Sequence, residues 1–337
     1  MTTTTINPNH YLQQSKPLWN IASISYALLG YLGAISLIIL HSIWLNALGV
    51  ILLTHSLIIS AYLAHEFMHG SMFASKQSNE VAGNLMLWIN GGCYATFSDL
   101  MRLHIAHHVN RVDFCRFDLE TFLKSLPTPV RSLLLGLEWC YFPALAFLSR
   151  IRAMFAPFYL RDRTHERWRV SLIFLIRSTL FSILGWISLK ALVLYFVAYI
   201  SMINVLRFVD AFQHTYEVYA VGSDLPKRDR AHEQANTFSN IISQRYGWLN
   251  VLLLNFGYHN AHHELMKCPW YSLPKLDKEL YTGDEIHYIT LPELIGNYHR
   301  FRLSRIYLGQ GSAVDEQGNR QLETFYGGTE VSFLVLP

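Results

Sequence analysis

The sequence predicts an all-α membrane protein with four transmembrane helices arranged as two hairpins. The chain has 337 residues, of which 51% are hydrophobic and only 15% are charged, whereas soluble domains average about 25% charged residues. Many of the hydrophobic residues lie in four runs of about 20 residues, the length that an α-helix needs to cross a bilayer. These runs form two close pairs, and a long polar stretch separates the pairs.

Each pair of runs leaves a break that is short enough for a tight helical hairpin. One charged residue, Arg177, lies within the third run. A charged side chain at that depth needs a polar partner or a route to the membrane surface. The four predicted spans are approximately residues 21–40, 45–64, 170–189 and 191–209.

The distribution of positive charge predicts which side of the membrane each segment faces. Residues 70–169 carry about a dozen Lys and Arg, whereas the two hairpin tips carry almost none apart from Lys190. Because Lys and Arg are retained on the cytoplasmic side, we expect the N-terminus, this middle stretch and the C-terminal third in the cytoplasm. Two shorter apolar segments, 81–97 and 133–148, are predicted to be interfacial or partly buried helices.

Composition also limits the compartment and the class of partner. The net charge is only +3 and no Lys/Arg-rich block occurs, which argues against a nucleic-acid partner and leaves membrane lipid as the expected surroundings. The four scattered cysteines form no C-x-x-C pair, so a reducing compartment is expected. Residues 1–19 are polar and contain no apolar run of the kind found in signal peptides, so we expect no cleavable signal. We divide the chain into an N-terminal cytoplasmic segment (1–20), a membrane domain (21–305) and a polar tail (306–337).

Clustered histidines are the main candidates for chemistry. Sixteen histidines are present, and nine of them fall into four short clusters. Two clusters have the pattern H-x-x-H-H. Random placement of the histidines gives roughly 0.04 expected matches to this pattern, so the probability of finding two matches by chance is about one in a thousand. The nine residues are His65 and His69, then His104, His107 and His108, then His214, and finally His259, His262 and His263.

The spacing within these clusters predicts metal binding. Residues i, i+3 and i+4 of a helix share one face, and neutral imidazole is a good ligand for iron. The chain is predicted to cross the membrane an even number of times between His69 and His259. The clusters that contain these two residues can therefore meet on one side of the membrane. Converging helices can then hold two metal ions. The alternative is that these histidines are satisfied at the surface or at an interface.

Three carboxylates beside the clusters are candidates for orienting the ligands. Asp210 precedes His214 by one helical turn and can orient it or hold a metal-bound water. Glu66 directly follows His65, and Glu264 directly follows His263. Each of the three is also compatible with a solvated helix face.

With these motifs the sequence resembles the membrane fatty-acid-desaturase superfamily over roughly residues 21–276. That family has four spans in two hairpins, three histidine boxes and two irons. The resemblance implies that the nine histidines bind two Fe²⁺ ions and that O2 is a co-substrate. By position, the first box is His65 and His69, the second is His104, His107 and His108, the third is His259, His262 and His263, and His214 matches the additional histidine after the fourth span.

The subclass signals point to different acyl carriers. The third box, 257–263, resembles that of acyl-CoA-type desaturases, whereas the three residues between His65 and His69 are more similar to lipid-linked desaturases and carotenoid-modifying relatives. The family's His-Pro-Gly-Gly signature of a fused haem domain is absent. The resemblance therefore implies a separate electron donor, such as a ferredoxin or a haem carrier.

The expected function is O2-dependent removal of two hydrogens from a long-chain acyl substrate. An unactivated methylene requires an oxidant stronger than any side chain, hence a redox metal, and an apolar channel along the inner faces of the spans is expected to hold the chain. A related di-iron hydroxylase, an alkene-forming decarboxylase or a carotenoid hydroxylase or ketolase remains open. A membrane haem protein or metal carrier without oxygenase activity is a second alternative.

Overall fold

The computed structural model describes residues 8–12, 16–115, 117–315, 317–329 and 334. Within these residues the chain is mostly helical, with two three-residue strands. The helices are α1 Pro8–Leu12, α2 Pro17–Ile39, α3 Ile43–His69, α4 Lys76–Asn90, α5 Phe97–Asn110, α6 Leu119–Ser125, α7 Thr128–Trp139, α8 Ala144–Tyr159, α9 Arg167–Ile187, α10 Leu189–Asp210, α11 Arg230–Ala235, α12 His259–Glu264, α13 Leu273–Leu280, α14 Leu291–Arg300 and α15 Arg305–Leu308. Short 3-10 helices are Arg161–Glu166, Gly247–Leu253 and Leu322–Thr324, and the parallel strands are β1 Asp113–Cys115 and β2 Val218–Ala220.

Four helical segments in the described chain are long and apolar enough to cross a membrane. They are Pro17–Ile39, Ile43–His69, Arg161–Ile187 and Leu189–Asp210. The predicted fold class, with four spans in two hairpins, is therefore confirmed. The 3-10 turn Arg161–Glu166 leads directly into α9 and lengthens the third span at its start.

The helix α3 extends beyond the end predicted from hydropathy. It continues to His69 and stops at Gly70, whose φ of 65° is the left-handed conformation that glycine adopts without strain. Hydropathy falls after residue 64 because His and Glu are polar, yet both residues are compatible with a helix. The first histidine pair consequently lies within the last turns of the helix rather than after it.

Polar contacts join the tips of the two hairpins. The Asn46 side-chain nitrogen donates to the carbonyl oxygens of Leu37 and Leu40 at 2.9 and 2.8 Å. Its oxygen accepts a hydrogen bond from Lys190 Nζ at 2.7 Å, and Lys190 also donates to the Leu40 carbonyl. The cation at the second hairpin tip therefore stabilises the turn of the first hairpin.

The charged residue in the third span also has polar partners. Arg177 Nη1 donates to the Trp88 carbonyl at 2.8 Å and lies 3.9 Å from Cys93 Sγ. Its guanidinium lies 5.4 Å from the ring centre of Phe181. The charge is thus directed toward the C-terminal end of α4, where backbone carbonyls are available.

The middle of the chain contains the two short apolar segments predicted at the membrane surface. The first corresponds largely to α4. The second contains the junction between α7 and α8, whose axes differ in direction by 113°. Several large apolar side chains of this bent pair are exposed, among them Leu133, Trp139, Ile151 and Phe155.

The C-terminal part folds back over the helix ends. The predicted boundary between the membrane domain and the polar tail, after residue 305, lies at the start of α15. Residues 305–315 and 317–329 then contact the end of α10, where Gly328 N donates to the Ala211 carbonyl and Arg207 Nε donates to the Thr329 carbonyl. The main apolar core lies among α2, α3, α4 and α10.

Candidate metal centre

The nine predicted histidines converge at one end of the helical bundle. They come from the last turns of α3 and α5, from the segment after α10 and from α12. Each is buried, with at most 8% of its surface exposed. Residues that are up to about 200 positions apart along the chain are therefore gathered in one site.

Five of these histidines form a first group, in which the possible ligand atoms all lie within 4.8 Å of one another. Nε2 of His69 lies 2.8 Å from Nε2 of His104 and 3.3 Å from Nε2 of His65. Nitrogens that surround one metal ion at about 2.1 Å have such separations. The members of the first group are His65, His69, His104, His108 and His262.

A second group contains His107, His214 and His263 within the same distance limit. Nε2 of His214 lies 3.2 Å from Nε2 of His107 and 2.8 Å from Nε2 of His259, so His259 adjoins this group. The second group thus offers up to four imidazoles.

Each H-x-x-H-H cluster is divided between the two groups. Successive helical residues are about 100° apart, so residue i+4 lies about 40° to one side of residue i and residue i+3 about 60° to the other. In α5, His104 and His108 belong to the first group and His107 to the second. In α12, His263 belongs to the second group with His259 adjoining it, and His262 belongs to the first.

The donor atoms suit metal ions. Nε2 of His262 and Nε2 of His263 are buried and have no hydrogen-bond partner in the described chain. Burial lowers the pKa of His262 to about 3, so this imidazole is neutral at neutral pH and offers a lone pair. A buried polar atom without a partner is costly, and a metal ion would supply that partner. Imidazole donors are suitable for iron.

Two carboxylates that sequence reasoning missed orient histidines of the second group. Glu233 Oε1 lies 3.0 Å from Nδ1 of His263, and Asp113 Oδ1 lies 3.0 Å from Nδ1 of His107. In both cases the Nε2 atom remains for a metal. Glu233, with His108 and His263, also forms a group that could hold an ion itself. The short spacing between His107 and Asp113 was a usable signal, whereas Glu233 is remote in sequence.

The three predicted orienting carboxylates have different surroundings. Glu66 Oε1 lies 3.5 Å from Nδ1 of His65, and Glu66 Oε2 accepts from the Trp270 backbone nitrogen at 3.2 Å. Glu264 instead accepts a hydrogen bond from Arg230 Nε at 2.7 Å. Asp210 lines a cleft that also reaches His214.

This cleft has a volume of about 510 Å³ and reaches His104, His107 and His214. Its size is within the range of about 300–1,000 Å³ that is usual for small-molecule pockets. It lies beside the spans, between the end of α5, the α6 region and the C-terminal residues, whereas the predicted channel followed the inner faces of the spans. Its apolar lining residues are Leu103, Phe114, Phe117, Leu119, Ala211, Val218 and Ile306.

The geometry of the centre also determines how the bent pair α7–α8 relates to the membrane. His69 ends α3 and His214 follows α10, yet both belong to one centre, so an even number of crossings separates them. The helices α9 and α10 account for two crossings. By this count the bent pair begins and ends on the same side of the membrane and is not a fifth span.

Comparison with known proteins is consistent with this geometry. A family model described as "Fatty acid desaturase" matches residues 42–293. The matched region is most of the chain and contains all nine histidines. The comparison with curated proteins found no match.

Proposed function

The chain belongs to the fatty acid desaturase family, and from this premise we propose that it is a membrane-bound fatty acyl desaturase with two ferrous ions. One observation carries the proposal: nine buried imidazoles form two adjacent groups at the end of an apolar helical bundle. In the proposed reaction a CH2–CH2 unit loses two hydrogens and becomes CH=CH. One O2, with two electrons and two protons from a donor, is reduced to two waters.

The protein's own groups hold and orient the centre. The first group would bind one ion, and the second group with His259 would bind the other. Glu233, Asp113 and Glu66 would fix the orientation of the imidazoles that they contact. The bound ions would supply, with O2, the oxidising capacity that side chains lack.

The cleft beside the second group is the proposed acyl site. Its apolar residues, which include Leu103, Phe114 and Ile306, would contact the chain and hold one C–C bond near His107 and His214. Fixing the reacting carbons in this way removes much of the entropic cost of the reaction. The cleft is also lined by Asp118, Glu120 and Asp210. The location of the cleft at the histidines supports this assignment.

We place the centre on the cytoplasmic side and assign electron delivery to a separate donor, such as a ferredoxin or a haem carrier. The cytoplasmic assignment is supported by the Lys and Arg residues between the two hairpins. The separate donor is supported by the absence of a His-Pro-Gly-Gly motif from the sequence.

The same structure gives less support to the alternative function, a membrane haem protein. His55 lies near the middle of the span Ile43–His69, away from the nine clustered histidines. Its Nδ1 lies 2.6 Å from Tyr26 Oη and its Nε2 lies 2.9 Å from the Leu252 carbonyl oxygen. Both ring nitrogens are thus engaged by the protein, which leaves neither for a haem iron.

Expression in a host that lacks the activity tests the proposal. Cells are given a saturated fatty acid, and lipids are analysed by gas chromatography and mass spectrometry. We expect a product two mass units lighter with one double bond. The variant His107→Ala should give no product, while His41→Ala, at the exposed hairpin tip, should retain it. A hydroxylated, ketonic or chain-shortened product would assign the chain to one of the alternative reactions instead.

A further inference from the structure

Part of the wall of the cleft lies outside the region that the family model matches. The match ends at residue 293, whereas residues from α15 to Thr329 line the cleft beside the second histidine group. We call residues 305–315 and 317–329 the C-terminal segment. Its lining residues are Arg305, Ile306, Gly309, Gln310, Gly327, Gly328 and Thr329.

The segment is closely fitted against the residues that lead to His214. At Gly327 a Cβ atom would lie 2.8 Å from the Ala211 carbonyl oxygen and 2.7 Å from the ring of Phe212. The φ of Gly327 is 84°, a conformation that other residues adopt only with strain. The backbone nitrogens of Tyr326 and Gly327 both donate to the Gln310 carbonyl oxygen at 2.9 Å, so this contact also fixes the backbone of Gln310.

The side chain of Gln310 reaches the second histidine group through one carboxylate. Gln310 Nε2 lies 2.8 Å from Asp113 Oδ2. An ionised carboxylate only accepts hydrogen bonds, so the amide nitrogen donates. The other oxygen, Asp113 Oδ1, lies 3.0 Å from Nδ1 of His107, and Nε2 of His107 lies 3.2 Å from Nε2 of His214.

We propose that Gln310 is a positioning residue for the second histidine group, so that the C-terminal segment is part of the metal centre. By holding one carboxylate oxygen, Gln310 fixes the position of the other oxygen, which faces Nδ1 of His107 alongside the Val112 carbonyl oxygen, itself 3.0 Å from that nitrogen. This contact fixes the ring so that its Nε2 faces the metal position. The proposal rests on the proposed function, because it requires that the second group binds an ion.

Metal titration of the purified full chain tests the proposal without any activity assay. The metal-depleted protein is titrated with Co²⁺, and the affinity of each ion is measured. Gln310→Met keeps the length of the side chain and removes the donor, and Gln310→Glu places a second carboxylate against Asp113. The matched control is Gln317→Glu, the same chemical change at an exposed position of the same segment. Trypsin cleavage at Arg320 reports whether the segment stays attached.

We expect one of the two ions to bind about 10–100-fold more weakly in both Gln310 variants, the effect that is typical when a partner of a ligand is lost. The affinity for the other ion should be unchanged in these variants, and so should resistance to trypsin. The control Gln317→Glu should bind both ions as the unaltered protein does. Unchanged affinity in both variants would overturn the proposal. So would a loss of affinity that occurs only together with faster cleavage at Arg320, since that result assigns Gln310 a purely structural role. If the unaltered protein bound no Co²⁺, the proposed function itself would fail.

Discussion

Glu233 bridges Arg111 and His263. Its Oε1 lies 3.0 Å from Nδ1 of His263, and its Oε2 accepts a hydrogen bond from Arg111 Nε at 2.8 Å. The carboxylate is therefore fixed at both oxygens, and so is the ring of His263 that it contacts. Glu264, which directly follows His263 in sequence, is bonded to Arg230 instead. The two glutamates make a matched pair for experiment.

Replacing Glu233 by Gln should lower iron affinity about 10–100-fold, because the ring of His263 loses its anionic partner. Iron per chain is measured after dialysis against a graded series of ferrous chelate buffers. Glu264→Gln should bind iron as the unaltered protein does. Equal affinities for the two variants would show that Glu233 has no orienting role.

Removing one imidazole from either group should abolish product formation. We expect His108→Ala and His262→Ala to impair the first group, and His107→Ala and His263→Ala to impair the second, each with an activity loss above about 100-fold, the upper range for loss of an orienting partner. Membrane insertion should persist, because the spans do not depend on these side chains. Lipid profiling and a protease-protection assay measure the two properties. Retained activity in two of the four variants would contradict the ligand assignment.

The contact between the hairpin tips should contribute to stability and not to activity. Lys190→Met removes the donor to Asn46 Oδ1, which should cost about 0.5–1.5 kcal/mol. The apparent Tm in detergent should fall by about 1–2 °C, since the entropy of unfolding scales with chain length at about 2.1 cal/mol/K per residue. Lys227→Met, outside the hairpin tips, serves as the control. An unchanged Tm in Lys190→Met would mean that this contact does not contribute to stability.

Asp277 should make the fold less stable as pH rises. Burial raises its pKa to about 6, although Tyr288 Oη donates to it at 2.7 Å. The folded state therefore holds the proton more tightly than the unfolded state, whose pKa is about 3.9. The resulting stabilisation is complete below about pH 4 and is lost as pH rises through about 6.

Asp277→Asn should remove this dependence, because an amide is neutral at every pH. At pH 8 the variant should unfold at a higher temperature than the unaltered protein, by an amount equivalent to at most about 2–3 kcal/mol. At or below about pH 4 the two should differ little, because the proton is then largely bound in both states. Thermal unfolding in detergent from about pH 4 to 8 measures the difference, and parallel curves across that range would refute the assignment.

The spans and the histidine clusters could be predicted from sequence because both are visible as patterns within short stretches of the chain. Hydropathy over about 20 residues identifies a span wherever it lies, and the i, i+3, i+4 spacing of His104, His107 and His108 defines a helical face. The predicted span ended at residue 64 because hydropathy does not recognise a polar helical end, although the i, i+4 spacing of His65 and His69 already indicated that the helix continues.

Contacts between remote segments could not be predicted in this way. Glu233 reaches His263 across 30 positions, and Gln310 reaches Asp113 across 197; periodicity carries no information at such separations. The cleft was expected between the spans, yet the C-terminal segment forms one of its walls. The bend between α7 and α8 likewise depends on how the middle of the chain packs.

The division of each H-x-x-H-H cluster has a consequence for how the centre is assembled. Since α5 and α12 each supply imidazoles to both groups, the spacing between the two proposed ions would be determined by the angular offset of side chains on single helices. An ion bound at one group would also fix the orientation of the helix that supplies the other. Uptake of the two ions should therefore be positively cooperative, with little half-filled protein at intermediate iron concentrations.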